Sequence, residues 1–583
     1  MNGIVTNNAA LAAVDDLGRT LPAFEEVGSL RKEKYVGMFY FLTLGSGHYK
    51  FYHEGLNGPI NVTEILEKYP EAAKDPNHPA WGKEFDCHHW GESIFGYYGY
   101  DEWVMRRHVE MLALADIDFL VLDTTNLAIY PNTVLCIMKL VNEYTQKGYR
   151  VPKVAFYTNT CSGERAQTIY EMFYKQKIFP DSWFYLDGKP LLIGKKAECS
   201  AEVQAFFRIK ESQWPNEPAK PDAFPWMEFV RPQRVFCNER GEKDVISVSP
   251  AQHPTAVMSD SVFLDAENWG RSYHHGRMEK AADAYKYGYN FQEQWDFALS
   301  EDPRIIFVTG WNEWLAYRYN YRWNENGGRV SSRVEADGGW KEMSQCDGFM
   351  LLDCATTEYS RDIEPMRGGF FDNYYMQLCQ NVRRFKGTEA QPVSRESKTI
   401  RMDGDFSQWA DVEIAHRGFV KDSLHRCARG YGINIYQNYT AVNNIHLLKA
   451  ADDMENLYFY AECAADIKKT ENYMMLYLDV GEKDVGVNGY SYRIRPDKTG
   501  ESAWLEHYEG GAFRPQVTVQ CRLAENKIMI ALPKKAVGQT ADKTELLFKW
   551  ADSITCSDTV EDFYQNGDVA PYGRFGVRYK AEH

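Results

Sequence analysis

Glu313 stands in Thr309-Gly310-Trp311-Asn312-Glu313-Trp314, directly after the apolar run Arg304-Ile-Ile-Phe-Val-Thr309. An acid flanked by Asn312, Trp311 and Trp314 at the end of an apolar strand suits a carboxylate acting as acid, base or nucleophile. The aromatic neighbours exclude water and tune its protonation, and glycosidic chemistry requires such a group. The alternative is structural: a Glu paired with a buried Arg at the rim of a barrel. Other strand ends add polar groups that could orient hydroxyls. They are His48 with Ser46 and Tyr49, Asp123 with Asn126, Tyr157 with Asn159, and Gln252 with His253. Asp123 reads equally well as a cap for the next helix. His253 precedes Pro254, so burial without function is its alternative, and His48 rests on location alone.

Two clusters carry metal-ligand residue types: Asp86-Cys87-His88-His89 with Glu92, and His274-His275. Consecutive residues do not easily face one ion, and no distant pair has zinc-site spacing. Both read as loop packing or substrate contact, so neither a metal nor a cofactor is expected. The chain has no Gly-x-Ser-x-Gly elbow and no His-Glu-x-x-His helix, which leaves serine hydrolase and zincin readings without support.

Positioning such residues needs a framework, and the region up to about residue 388 supplies one. Apolar runs at Tyr35–Leu42, Asp118–Asp123, Lys153–Tyr157, Pro190–Ile193, Val245–Ser249 and Arg304–Thr309 alternate with amphipathic segments. Asp101 caps one such segment, and Asn132–Lys147, Ala166–Lys177 and Phe291–Leu299 form others. Strand, helix, strand over this length predicts a parallel sheet covered on both faces. Gly45-Ser46-Gly47 lacks the third glycine of a dinucleotide fingerprint, so the α/β fold expected is a (β/α)8 TIM barrel with its chemistry at the strand C-termini. Polar residues 389–398 read as a linker. Short β runs with turn signals then predict an all-β antiparallel sandwich. The expected order is an N-terminal extension at 1–30, a catalytic barrel at 31–388, the linker, and the sandwich at 399–583.

Composition narrows the partners. Of 583 residues, 44% are hydrophobic and 25% charged, ordinary globular values that exclude a disordered chain. The net charge of −16 argues against sequence-independent nucleic-acid binding, so no nucleic-acid partner is expected. Tyr (38) and Trp (15) are abundant, which suits either stacking on sugars or an aromatic-rich core. No apolar run is long enough to span a membrane, so no membrane partner is expected. The first residues lack a basic n-region and an apolar h-region, and the twelve cysteines form no Cys-x-x-Cys. Free thiols and a cytoplasmic location are expected, with a removed signal peptide as the alternative.

Trp311-Asn312-Glu313-Trp314, with Tyr35–Leu42, Ile117–Asp123, Leu186-Asp-Gly-Lys-Pro-Leu191 and Ile363-Glu364-Pro365, resembles the family 99 endo-α-mannosidases and related TIM-barrel proteins of polysaccharide loci. The resemblance implies a glycoside hydrolase acting on a glycan or oligosaccharide. Its alternative is a non-catalytic carbohydrate-binding or polysaccharide-assembly protein on the same barrel. Members place a second Glu three positions after the first; here that position is Ala316, and a basic, aromatic insert through Asp353 follows. Relative to the Ile-Glu-Pro motif, Glu358 lies near where the pattern puts its second acid, and Tyr359 beside it would desolvate it. Glu364 is the runner-up, with a structural ion pair to Arg361-Asp362 as its alternative. Hydrolysis takes carboxyls about 5–5.5 Å apart for retention or about 6.5–9.5 Å for inversion. The C-terminal region resembles family 9-like carbohydrate-binding sandwiches through Asp403-Gly404-Asp405, Trp409, Phe548-Lys549-Trp550 and Gly573-Arg574-Phe575; Trp409 as core and Asp403–Asp405 as a turn are the alternatives.

Overall fold

A computed structural model describes residues 11–42, 58–75, 77–82, 86–254, 257–263, 266–320, 329–334, 340–346, 349–421, 425–482, 485–541 and 543–583. The chain divides into two compact units, Arg31–Lys386 with Ala428–Ile435, and Met1–Leu30 with Gly387–Cys427 and Tyr436–His583.

The first unit is built on eight parallel strands: β1 Tyr35–Tyr40, β2 Phe119–Asp123, β3 Lys153–Tyr157, β4 Lys189–Gly194, β5 Arg208–Gln213, β6 Ala223–Pro225, β7 Lys243–Val248 and β8 Ile305–Trp311. Their ladders run β6-β5-β4-β3-β2-β1-β8-β7, so the barrel is nearly closed, with its seam between β6 and β7 among the described residues. Inward side chains fill it: Phe39, Phe119, Val121, Ala155, Tyr157, Ile193, Phe224 and Phe307 form one buried cluster. Asp101 caps α1, Glu102–Leu114, by accepting from Trp103 N at 3.1 Å and Val104 N at 3.4 Å. Helices α2 Pro131–Gln146, α3 Ser162–Ile169, α4 Ala201–Phe206, α5 Tyr289–Glu301 and α6 Asn373–Lys386 follow β2, β3, β4, β7 and β8.

The expected (β/α)8 pattern is corrected at two crossings. No helix follows β5 or β6 among the described residues. The reason is local: Pro215, Pro218 and Pro221 occupy the nine-residue connection after β5, and proline bars an interior helical position. The insert after Glu313 is likewise not a plain loop. Ala316–Asn320 pairs antiparallel with Phe349–Asp353, and Arg329–Val334 with Trp340–Cys346, so it leaves and returns as a β-ribbon. Ala316 faces Asp353, which delivers the chain back beside Glu313.

The second unit is one antiparallel ladder of short and long strands, running from Leu11–Ala12 through Gly576–Glu582 and Lys543–Asp552 round to Asn456–Cys463 and Ile445–Asp452. Phe459 and Phe548, far apart along that ladder, meet with ring centroids 5.4 Å apart, so the sheet folds over on its own apolar face. Residues read as an N-terminal extension supply an edge: Leu11 and Ala12 pair with Val577 and Gly576, and Asp16 binds Arg574 at 2.6 Å. The stretch read as a linker lies along the same unit, with Ser394 N donating to Lys580 O and Lys398 N to Asp452 O, both at 2.8 Å. Trp409 is core, stacked on Tyr460 at 5.2 Å, and Asp405 caps the turn Phe406–Trp409.

Candidate functional site

The end of β8 sets the site. Its pairing with β1 shifts register between Val308 and Trp311, and Asn312 then adopts a left-handed conformation with φ 64°. Asparagine tolerates that region because its short amide bonds locally. Here Asn312 Oδ1 accepts from Phe41 N and Nδ2 donates to Phe41 O, each at 2.9 Å. Asn312 therefore extends the β1–β8 ladder with its side chain. Trp311 points outward and is fully buried against His108 of α1 and Tyr375 of α6, at centroid distances of 5.5 and 6.0 Å. Trp314 stacks on Trp90 at 4.6 Å. Both indoles are buried among other rings, so Trp311 and Trp314 offer no face to a substrate.

Glu313 is 3% exposed and held by a fork. Arg361 Nη2 lies 2.5 Å from Oε1 and Arg361 Nε 3.1 Å from Oε2. Cys354 Sγ lies 3.5 Å from Oε2, Trp90 Nε1 donates to Glu313 O at 2.7 Å, and Glu313 N donates to Asp362 Oδ2. The guanidinium rests over Trp226 at 5.1 Å, and its Nη1 reaches His253 Nε2 at 3.1 Å. Arginine has no acceptor, so His253 accepts at Nε2 and carries its proton on Nδ1. The sequence alternative of a Glu paired with a buried Arg is thus the observed arrangement. Sequence reading had placed Arg361 with Glu364 instead.

Glu364 is fully buried and takes donors from four directions. Ser93 Oγ (2.6 Å) and His108 Nε2 (3.0 Å) meet Oε1, while Tyr97 OH and Trp314 Nε1, each at 2.8 Å, meet Oε2. Tyr40 OH lies 2.8 Å from His108 Nδ1. Burial, reinforced by the Glu364 charge, pushes the Tyr40 and Tyr97 hydroxyls well above their ordinary range. Such a carboxylate ties β1, α1 and the Trp314 loop together and is not offered to a ligand. The catalytic reading of Glu364 is corrected accordingly. Asp362 lies between the two acids and bonds Glu313 N and Glu364 N. Burial pushes its carboxyl well up, and the adjoining Glu364 and Glu313 push the same way.

Glu358 is engaged elsewhere. Its Oε1 accepts from Ser272 N at 2.8 Å and its Oε2 from Ser272 Oγ at 2.6 Å. Burial raises it, with Ser272 and the Arg271 charge opposing. Gly270 makes the room: a Cβ there would lie 2.2 Å from Glu358 Oε1. Arg271 ties this segment to the next, donating to Thr357 O at 2.8 Å and Asp362 O at 2.6 Å.

The remaining candidates divide. Asp123 ends β2, buried, its Oδ1 accepting from Thr125 Oγ1 at 2.7 Å and Thr125 N at 3.1 Å, so it organises its own turn; Asn126 is exposed. Asn159 is buried after β3 with Ser212 Oγ donating to its Oδ1 at 2.9 Å. His253 packs on Phe229 at 4.3 Å. His48, Ser46 and Tyr49 lie outside the described residues. The site therefore gathers Glu313 and His253, joined by Arg361 and Cys354, at the strand ends. Sequence reasoning missed Cys354 and Trp226 and misassigned Arg361. The only signal was an Arg and two acids alternating with Ile363 just after the insert.

Among the described residues no group of three or more His, Cys, Asp or Glu is placed to hold a metal ion. His88 instead directs Nδ1 at Asp86 O (2.8 Å) and Nε2 at Trp81 O (3.0 Å). Burial lowers His88 to about 4 and His89 to about 3, and raises the Cys87 thiol to about 12. His274 stacks on Tyr289 at 4.4 Å and pairs with Glu279 at 3.1 Å.

No family model matches the chain, and no curated protein matches it. Among solved structures it is similar to the GH99 endo-alpha-mannosidase from Bacteroides thetaiotaomicron, at 12% identity and a TM-score of 0.34, covering 60% of this chain and 97% of that one. The same enzyme in complex with bis-tris-propane gives 13% identity and a TM-score of 0.31 over the same shares. A likeness at this level carries no argument about chemistry.

Proposed function

We propose that the barrel mouth binds a glycan and that Glu313 acts there on a glycosidic bond as nucleophile or base. The single observation that carries this is the placement of Glu313, with His253 nearby across Arg361, at the C-terminal end of β8. The fork fixes both carboxylate oxygens in place, the positioning that a nucleophile or base needs. Supporting it are the position in the barrel, the Trp226 and Phe229 rings beside Arg361 and His253, and the resemblance of the Trp311–Trp314 motif. Glu358 and Glu364 are each held by donors of their own, which counts against either as the acid partner. A second reading, glycan binding without turnover, is favoured by that occupancy together with Ala316 in the position three after Glu313.

One experiment separates the readings. Wild type and Glu313→Gln are assayed against aryl glycosides and purified glycans, with binding measured in parallel by calorimetry. Hydrolysis that falls by about 10²–10⁴ in the variant, with affinity nearly kept, supports the catalytic reading. Binding without turnover supports the second. Neither binding nor turnover across the panel removes both.

A further inference from the structure

Away from the mouth, a cavity of about 380 Å³ opens on the flank of the barrel beside β5 and α4. Its cations come mainly from strand starts: Lys189 begins β4, Arg208 begins β5, and Arg304 precedes β8. Lys196, Arg240 and the nearly buried Phe207 and Ile209 also line it. Glu313 follows the other end of β8, so this cavity is separate from the proposed glycan site.

The acids around it are already shared. Asp187 serves two guanidiniums, Arg208 Nε at 3.1 Å and Arg304 Nη1 at 2.9 Å. Asp222 serves Arg208 at 2.6 Å and the fully buried Lys210 at 2.7 Å, and Lys210 also pairs with Asp244. Arg240 pairs with Glu242 at 2.7 Å, while Glu239 stands off at 3.8 Å from Lys196. Lys189 Nζ bonds the carbonyl of Ala205 at 2.6 Å and meets no carboxylate among the described residues. Arg304 Nε is buried with no hydrogen-bond partner. A buried N–H without an acceptor is costly, so an oxyanion accepting from it gains a hydrogen bond.

We propose that this cavity binds an organic anion of the phosphate- or sulfate-ester class. Guanidinium and ammonium donors suit the tetrahedral oxyanion, and Phe207 and Ile209 in the lining admit a small carbon skeleton. The volume lies near the lower end of the range of about 300–1,000 Å³ for ligand pockets, which fits a molecule of monosaccharide size better than a bare ion. The chain's net charge of −16 makes general attraction of anions a poor substitute for a local site.

The test titrates the full chain by calorimetry with glucose 6-phosphate, glucose 6-sulfate, inorganic phosphate and glucose. An ester is expected to bind with a Kd below about 1 mM, more tightly than inorganic phosphate, and glucose not at all. Lys189→Ala with Lys196→Ala, both exposed and so harmless to the fold, should weaken ester binding by about tenfold; Arg304→Gln should do so too. Inorganic phosphate binding as tightly as the esters would overturn the organic part of the ligand. No binding of either ester at about 10 mM, or unchanged affinity in the lysine variant with an unchanged melting temperature, overturns the site.

Discussion

Arg361 closes a two-pronged bond on Glu313, Nη2 to Oε1 at 2.5 Å and Nε to Oε2 at 3.1 Å, with the two side chains 1% and 3% exposed. Removing one partner of a buried pair strands the other charge. Arg361→Met alone is therefore expected to cost about 3–5 kcal/mol. Glu313→Leu combined with Arg361→Met should recover most of that, because neither charge of the pair is left without its partner. Denaturant midpoints of the three variants check it, and a double variant no more stable than the single one contradicts it.

The four donors on Glu364 make it a structural hub. Glu364→Gln replaces one acceptor oxygen by a donor and should lower stability by about 2 kcal/mol or more. Trp314→Phe removes one of those bonds and should cost about 1–2 kcal/mol. A Glu364→Gln protein with unchanged melting and abolished turnover would instead restore its catalytic reading.

Gly270 leaves space for the Glu358 carboxylate, so Gly270→Ala should drive Glu358 off Ser272. The two lost bonds predict about 1–3 kcal/mol. Adding Ser272→Ala should cost little more, since the same contact is already gone. Full additivity in that cycle would show that Gly270 and Ser272 act separately.

His88 and His89 give the barrel an acid-sensitive point. Burial lowers them to about 4 and about 3, whereas an exposed His titrates near ~6.5. Between those values the unfolded chain binds the extra protons. Stability present above about pH 6.5 is therefore lost as pH falls toward 4, by about 1.4 kcal/mol per unit for each His. Melting temperatures from pH 7.5 to 4.5 should fall more steeply for wild type than for His89→Gln; parallel slopes would exclude the effect.

Leu11 and Ala12 cover the edge of strand Gly576–Glu582. Deleting residues 1–30 should leave the Gly576 and Val577 amide region faster to exchange, while β1–β8 keep their protection. Hydrogen exchange read by mass spectrometry distinguishes this from a deletion without effect on that strand.

Much of the barrel was legible because its signal is local. Continuous apolar runs announced β1, β2, β3, β4, β7 and β8, and Asp101 announced the start of α1. Strands β5 and β6 were not. Arg208-Ile-Lys-Glu-Ser-Gln213 looks polar, and Lys210 can be buried in it only because Asp222 and Asp244 arrive from other elements. The prolines after β5 were equally visible and explain the missing helix.

The sequence by itself determined the alternating α/β half, the antiparallel half, and the position of Glu313 after an apolar strand. These follow from periodicity and propensity, which act between near neighbours. Which side chain meets Glu313 was decided only in three dimensions. Arg361 lies 48 residues away, beyond a ribbon whose pairing of Ala316 with Asp353 returns the chain to the same place. Glu358, Glu364 and Asp362 are chemically alike in the sequence. Their separate fates, on Ser272, in a four-donor hub and across two backbone amides, come from the donors that folding happens to aim at each.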